Sequence, residues 1–127
     1  MKETITSAEN APEAVGPYSL AVRQGKLVFT AGQLGLDAQT GSLVEGGIQA
    51  QTEKALQNLS AVLKAADSDL SQVLKTTVFL KNMADFSAMN EVYARFFNIN
   101  APARSAVEVA ALPKGGLVEI EAVAFIE

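Results

Sequence analysis

Val73-Leu-Lys-Thr-Thr-Val-Phe-Leu80 is rich in β-branched and aromatic residues and has no helical break in its apolar pattern, so it reads as a mostly buried strand. It looks apolar on both sides, and a strand of that kind needs cover on two faces. The elements around it decide how much cover is available. Before it, Ile48, Ala55, Leu56, Leu59, Val62, Leu63 and Ala66 recur at helical spacing, with Glu53, Lys54, Gln57, Asn58 and Lys64 elsewhere on the wheel. That spacing predicts an amphipathic helix from about Gly47 to Ala66. After it, Asn82 or Asp85 can cap a second helix in which Phe86, Met89, Tyr93, Phe96 and Phe97 form one stripe.

Further out, Leu20 to Arg23 and Lys26 to Gln33 flank Gln24-Gly25, which predicts a hairpin with its tight turn at Gly25. Ser105 to Ala111 and Leu117 to Phe125 read as two strands around the turn cluster Pro113-Lys-Gly-Gly116. The order ββ, helix, β, helix, ββ defines an α+β fold, a mixed sheet with two helices on one face. Two helices cannot cover both faces of such a sheet, so the second face must be solvated or meet another subunit. With no linker, repeat or low-complexity run, residues 1–127 are expected to form one domain.

Composition narrows the chemistry. The 127 residues are 49% hydrophobic, and a chain of this size can bury about two-thirds of its surface without staples. Cys, His and Trp are absent, which excludes thiolate nucleophiles, Ser-His pairs and the usual zinc, haem and iron-sulfur ligand sets. Ten basic residues against fourteen acidic ones give a net charge of -4, with no two Lys or Arg adjacent, so a nucleic acid partner is disfavoured. Neither a signal-peptide run nor a membrane-length apolar window occurs, and the chain is expected to be cytoplasmic.

Catalysis must then rest on carboxylates, Arg, Lys, Tyr, hydroxyls and backbone amides. Arg104, in Ala101-Pro-Ala-Arg-Ser-Ala-Val107, stands at the mouth of a strand after a proline-fixed loop, where a guanidinium can grip a carboxylate bidentately. An ordinary surface ion pair accounts equally well for a lone Arg. Glu119 and Glu121 lie two apart on a strand, hence on one side and ~7 Å apart, suited to acid and base roles or simply to the wet end of a half-buried strand. Tyr18, in Gly16-Pro-Tyr-Ser19, can close a pocket or merely pack. Gly32 lets its amide approach a ligand or marks a bulge, and Asn90 interrupts the second helix's apolar register, as a ligand contact or as exposed surface. Asp67 and Asp69 lack the Gly and terminal Glu of a calcium loop, and Gly115-Gly116 lacks the context of a phosphate loop.

In order and spacing, Gly16-Pro-Tyr-Ser19, Phe29-Thr-Ala-Gly-Gln33, Val73 to Leu80, Asp85-Phe86 with Asn90 and Tyr93, Ala103-Arg-Ser-Ala-Val-Glu-Val109, Leu112-Pro-Lys114 and Val118-Glu-Ile-Glu-Ala122 resemble the Rid/YjgF family of reactive-intermediate deaminases, over about residues 8 to 125. The resemblance implies a chorismate-mutase-like homotrimer with its sheets inward and three small-molecule clefts between neighbouring subunits. It implies hydrolysis of enamines and imines such as 2-aminoacrylate and 2-iminopropanoate to a 2-oxo acid and ammonia, without cofactor or metal. Arg104 falls on the family arginine that binds the substrate carboxylate, and Glu119 on the acidic residue associated with the hydrolytic water. Tyr18, Gly32 and Asn90 fall on pocket-lining positions and the backbone around Ala106 on a ligand-contacting strand, while Glu121 matches no catalytic position. Many relatives carry Ser where Ala31 stands and Cys where Ala106 stands, which alters pocket polarity and leaves no thiol mechanism. Two other functions fit the same residues: a non-catalytic trimer binding 2-oxo acids and, with less support from the acidic charge, a nuclease or translation inhibitor.

Overall fold

The computed structural model describes all 127 residues. Strands β1 (Glu3–Ile5), β2 (Ala21–Gln24), β3 (Leu27–Thr30) and β4 (Gln33–Leu34) precede helix α1 (Gly47–Ala65). Strand β5 (Val73–Leu80), helix α2 (Phe86–Phe96) and strands β6 (Ala103–Glu108) and β7 (Val118–Phe125) complete it, with short 3-10 turns at Leu70–Gln72, Met83–Asp85 and Pro113–Gly115.

One mixed sheet runs in the order β1-β2-β3-β7-β5-β6, with β4 also pairing with β7. All pairs are antiparallel except β5 and β6, whose connection through α2 returns the chain to the same end of the sheet. The β2-β3 turn falls at Gly25, where φ is +60°, a conformation that a side chain disfavours.

Burial alternates along β7. Val118, Ile120, Ala122 and Ala124 are buried, while Glu119, Glu121, Val123 and Phe125 are only partly so. Thr76, Val78 and Leu80 of β5 lie opposite Ala122, Ile120 and Val118, and all six are on the buried face. Leu56, Leu59, Val62 and Leu63 of α1 and Met89 of α2 complete this core and are fully buried. Each such side chain removed from water contributes roughly 1.5–3 kcal/mol. The other face has no helix. Leu27 and Phe29 stand there at 41% and 45% exposure, opposite Phe125 and Val123.

The structure departs from the sequence reading in six places. The strand expected to run from Lys26 to Gln33 breaks after Thr30: Phe29 pairs with Val123 but Gln33 with Ile120, so Thr30 to Gly32 hold one more residue than the opposing strand. A bulge of this kind re-aims the chain locally. Asn58, assigned to the outer side of α1, is fully buried, because its Nδ2 donates to the Leu34 and Leu36 carbonyls at 3.0 and 2.9 Å. The β5 strand is buried on one face only within the chain: Leu74 and Lys75 are exposed, Phe79 is half-buried, and a register shift falls between Val73 and Lys75. Strand β6 starts two residues earlier and ends earlier than expected, and β1 carries too little apolar pattern to be read in advance. Lastly, Asn82 accepts from the Ala84 amide and caps the 3-10 turn, whereas Asp85 makes no side-chain cap to α2.

No helix is long and apolar enough to cross a membrane.

Candidate active site

Arg104 sits on β6, the edge strand, opposite Thr76 of β5 and therefore on the helix-covered face. Helix α2 presents Phe86, Asn90 and Tyr93 to it, three residues at the i, i+4, i+7 spacing of one helix face. Its NH1 donates to Asn90 Oδ1 at 2.8 Å, and its guanidinium carbon lies 4.8 Å from the Tyr93 ring centre and 5.4 Å from that of Phe86. The Tyr93 hydroxyl shares a 2.7 Å hydrogen bond with Thr76 Oγ1. Burial pushes the Tyr93 phenol above its ordinary range, so it stays protonated. No carboxylate approaches Arg104 within ion-pair distance; the one ion pair in the chain is Arg23 with Asp67. Asn90, Tyr93, Phe97, Pro102 and Arg104 line a shallow hollow of about 430 Å3.

Glu119 belongs to the other face of the sheet. It pairs with Phe79 of β5 and Leu34 of β4, and Glu121 follows it on the same side. Burial first, and the nearby Glu121 charge second, raise the Glu119 carboxyl above the usual carboxylate range. The Thr30 to Gly32 bulge delivers Gly32 against this carboxyl. A Cβ at Gly32 would stand 2.7 Å from Glu119 Cδ, so a side chain there would push the acid out of this position. Tyr18, Ala31, Gly32, Leu34, Lys114 and Glu119 border a cavity of about 400 Å3.

The predicted residues therefore fall into two groups. Tyr18, Gly32 and Glu119 come together, and so do Asn90 and Arg104, but within one chain the groups lie on opposite faces. Ala106 is one alternation along β6 from Arg104, opposite Val78, with its half-buried side chain against the core. A larger hollow of about 490 Å3, bounded by Glu9, Gln57, Lys64 and Phe96, includes none of them.

Several contributors escape a reading by residue type. Tyr93 and Phe86 look like core, and only their spacing about Asn90 hints at a shared task. Asn58 reads as surface, yet it secures the Leu34 and Leu36 backbone beside the Glu119 cavity, and from the same helix Gln51 Oε1 accepts from the Leu117 amide at 2.9 Å. Lys114, in the turn at φ +58°, donates from Nζ to the Gly41 carbonyl at 2.9 Å and closes one wall.

A mixed sheet backed by two helices, with an unpaired arginine on one face and a half-buried acid on the other, matches known proteins throughout its length. Residues 8–126 match the family described as endoribonuclease L-PSP, and the chain belongs to this family, also known as Rid/YjgF. It is 52% identical, over the full length of both chains, to a RutC family protein of Pyrococcus horikoshii. It is 48% identical to the human 2-iminobutanoate/2-iminopropanoate deaminase over 120 residues, covering 94% of this chain and 88% of the human one. Among solved structures, Escherichia coli TdcF with bound serine superimposes with a TM-score of 0.93 at 39% identity, covering 98% of this chain and 100% of TdcF.

Proposed function

We propose that this chain is a hydrolytic deaminase that converts enamine and imine intermediates of the 2-aminoacrylate, 2-iminopropanoate and 2-iminobutanoate type to the 2-oxo acid and ammonia. In this reading residues 1–127 act as one cytoplasmic domain within a homotrimer. The observation that supports it is the separation of Arg104 from Glu119, which stand on opposite faces of one sheet and which we read as the two halves of a shared site. They meet only if the α2-β6 edge of one subunit abuts the helix-free face of the next. That contact would also cover Leu27, Phe29, Val123 and Phe125, apolar surface that a lone subunit leaves partly in water. The named deaminase relatives supply the reaction class, and TdcF with bound serine supports a small ligand bearing a carboxylate.

The chemistry asks little of the protein. Arg104 takes the substrate carboxylate through its planar fork, placing C2 of the imine toward Glu119. As water attacks C2 of the protonated imine and the C–O bond forms, the Glu119 carboxylate accepts its proton, leaving a carbinolamine. It returns that proton to nitrogen, and as the C–N bond breaks and ammonia leaves, the freed carboxylate takes the hydroxyl proton and the carbonyl forms. A carboxyl whose pKa is raised toward neutrality serves both directions better than an ordinary one. Tyr18, Gly32 and the β6 backbone around Ala106 line the cleft, and no metal or cofactor takes part. With a net charge of -4 and isolated cations at the two hollows, polyanion cleavage has little to recommend it.

Freshly generated 2-aminoacrylate separates turnover from mere binding. Pyruvate and ammonia should appear well above the spontaneous rate in proportion to added protein. Binding of 2-oxo acids with no acceleration would leave a non-catalytic ligand-binding trimer.

A further inference from the structure

Resting on the carboxylate-anchor role of Arg104 just proposed, we infer that Asn90 and Tyr93 are positioning residues that orient the guanidinium without neutralising it, so that its charge stays available to the substrate. The two arginines drawn to partners in this chain make the point. Arg23 is spent on Asp67, at 2.7 Å. Arg104 is as firmly held, but every partner is uncharged: the Asn90 amide oxygen and the Tyr93 and Phe86 ring faces of the same helix. Asn90 uses one of the five guanidinium N–H donors and leaves four for a ligand. The aromatic faces attract the cation and fix its plane without offering a competing acceptor.

The support behind Tyr93 is as specific. Its hydroxyl does not face Arg104 but bonds to Thr76, the β5 residue paired with Arg104, and its ring packs on Phe97 with centres 4.7 Å apart. Thr76 is fully buried, so this bond ties the ring to the strand on which the arginine itself is registered. A long side chain anchored this way loses little freedom on binding, which lowers the cost of capturing a small acid. A carboxylate in place of the Asn90 amide would preserve the contact but occupy the fork and repel the substrate.

The test uses the intact protein and measures Kd for 2-oxobutanoate by calorimetry with KM and kcat for the imine. Asn90→Asp, almost isosteric, should raise Kd and KM by more than tenfold with folding and oligomer mass unchanged. Tyr93→Leu, which removes the ring face, should raise them by about tenfold, and Tyr93→Phe, which keeps it, should stay within about threefold of the parent. A merely structural role would lower the melting temperature and leave KM alone. Wild-type Kd and KM in Asn90→Asp overturn the inference, and this holds even if Tyr93→Leu fails to fold. Arg104→Ala, measured alongside, separates the two claims. If it is inactive while Asn90→Asp binds normally, only the positioning role fails; if it is fully active, the carboxylate-anchor reading fails first.

Discussion

Arg104 and Glu119 share a sheet and differ in nearly everything around them. The arginine is held by side chains: an amide, two aromatic faces and, through Tyr93, a buried threonine. The glutamate is held by space. A glycine withdraws to admit it, and partial burial beside a second acid makes its charge costly. One half of the proposed site keeps a cation charged and without an ionic partner, and the other makes the ionisation of an acid costlier. Each is organised before any ligand arrives, and neither can act alone. In the proposed deaminase, this is how a chain without His or Cys would assemble proton-transfer chemistry.

The sharpest way to break the comparison is to remove one side at a time. Arg104→Ala should cost more than a hundredfold in kcat/KM, about 2.7 kcal/mol, with Arg104→Lys recovering little because the ammonium lacks the planar fork. Glu119→Gln should act mainly on kcat, leaving 2-oxo acid affinity within a few-fold. It should also stabilise the fold. A carboxyl whose folded pKa is raised contributes stability below its unfolded pKa and loses it as pH rises through the folded value, so at neutral pH the neutral amide is the better fit. A lower melting temperature for Glu119→Gln at neutral pH, and not a higher one, would contradict the burial account.

A smaller effect is expected from the support of the glutamate side. Asn58→Ala leaves the Leu34 and Leu36 carbonyls without their shared buried donor, and should destabilise the chain by roughly 2–3 kcal/mol as read by denaturant titration. A loss below about 0.5 kcal/mol would mean that these bonds are not needed.

The smallest effect sharpens the electrostatics. Glu119 must be ionised to accept a proton, so kcat/KM should fall as pH drops through its raised pKa. Glu121→Gln removes the like charge but not the burial, and burial is the larger cause. The acidic limb of the profile should therefore move to lower pH, only part of the way toward an ordinary carboxyl. A limb that stays in place would remove Glu121 from the account.

How far the sequence reaches follows from the same contrast. Periodicity located α1, α2, β5 and β7, because each buries a regular face, and Gly25 announced its turn. Alternation of Glu119 and Glu121 with Ile120 and Ala122 revealed which side of β7 was wet. The sequence could not reveal that Arg104 and Glu119 occupy opposite faces, since that depends on β6 pairing parallel to β5, a long-range choice with no local signature. Asn58 was misplaced for a related reason: its partners are two backbone carbonyls more than twenty residues away, invisible to any helical wheel. A bulge was one of the two readings Gly32 allowed, but which one holds is decided only against the opposing strand, where the one-residue excess is defined.

The central claim is that one site is built from two chains, and mixing inactive chains tests it most directly. Arg104→Ala and Glu119→Gln variants, each inactive alone, would be co-refolded in equal amounts. If each site takes its arginine from one subunit of a trimer and its glutamate from the next, random assembly makes one site in each hybrid wild-type in both residues, about a quarter of all sites. Recovery of about a quarter of the parent activity is the expected result. Mixtures that form hybrid oligomers and remain as inactive as their components would place both residues in one subunit's site and contradict the account.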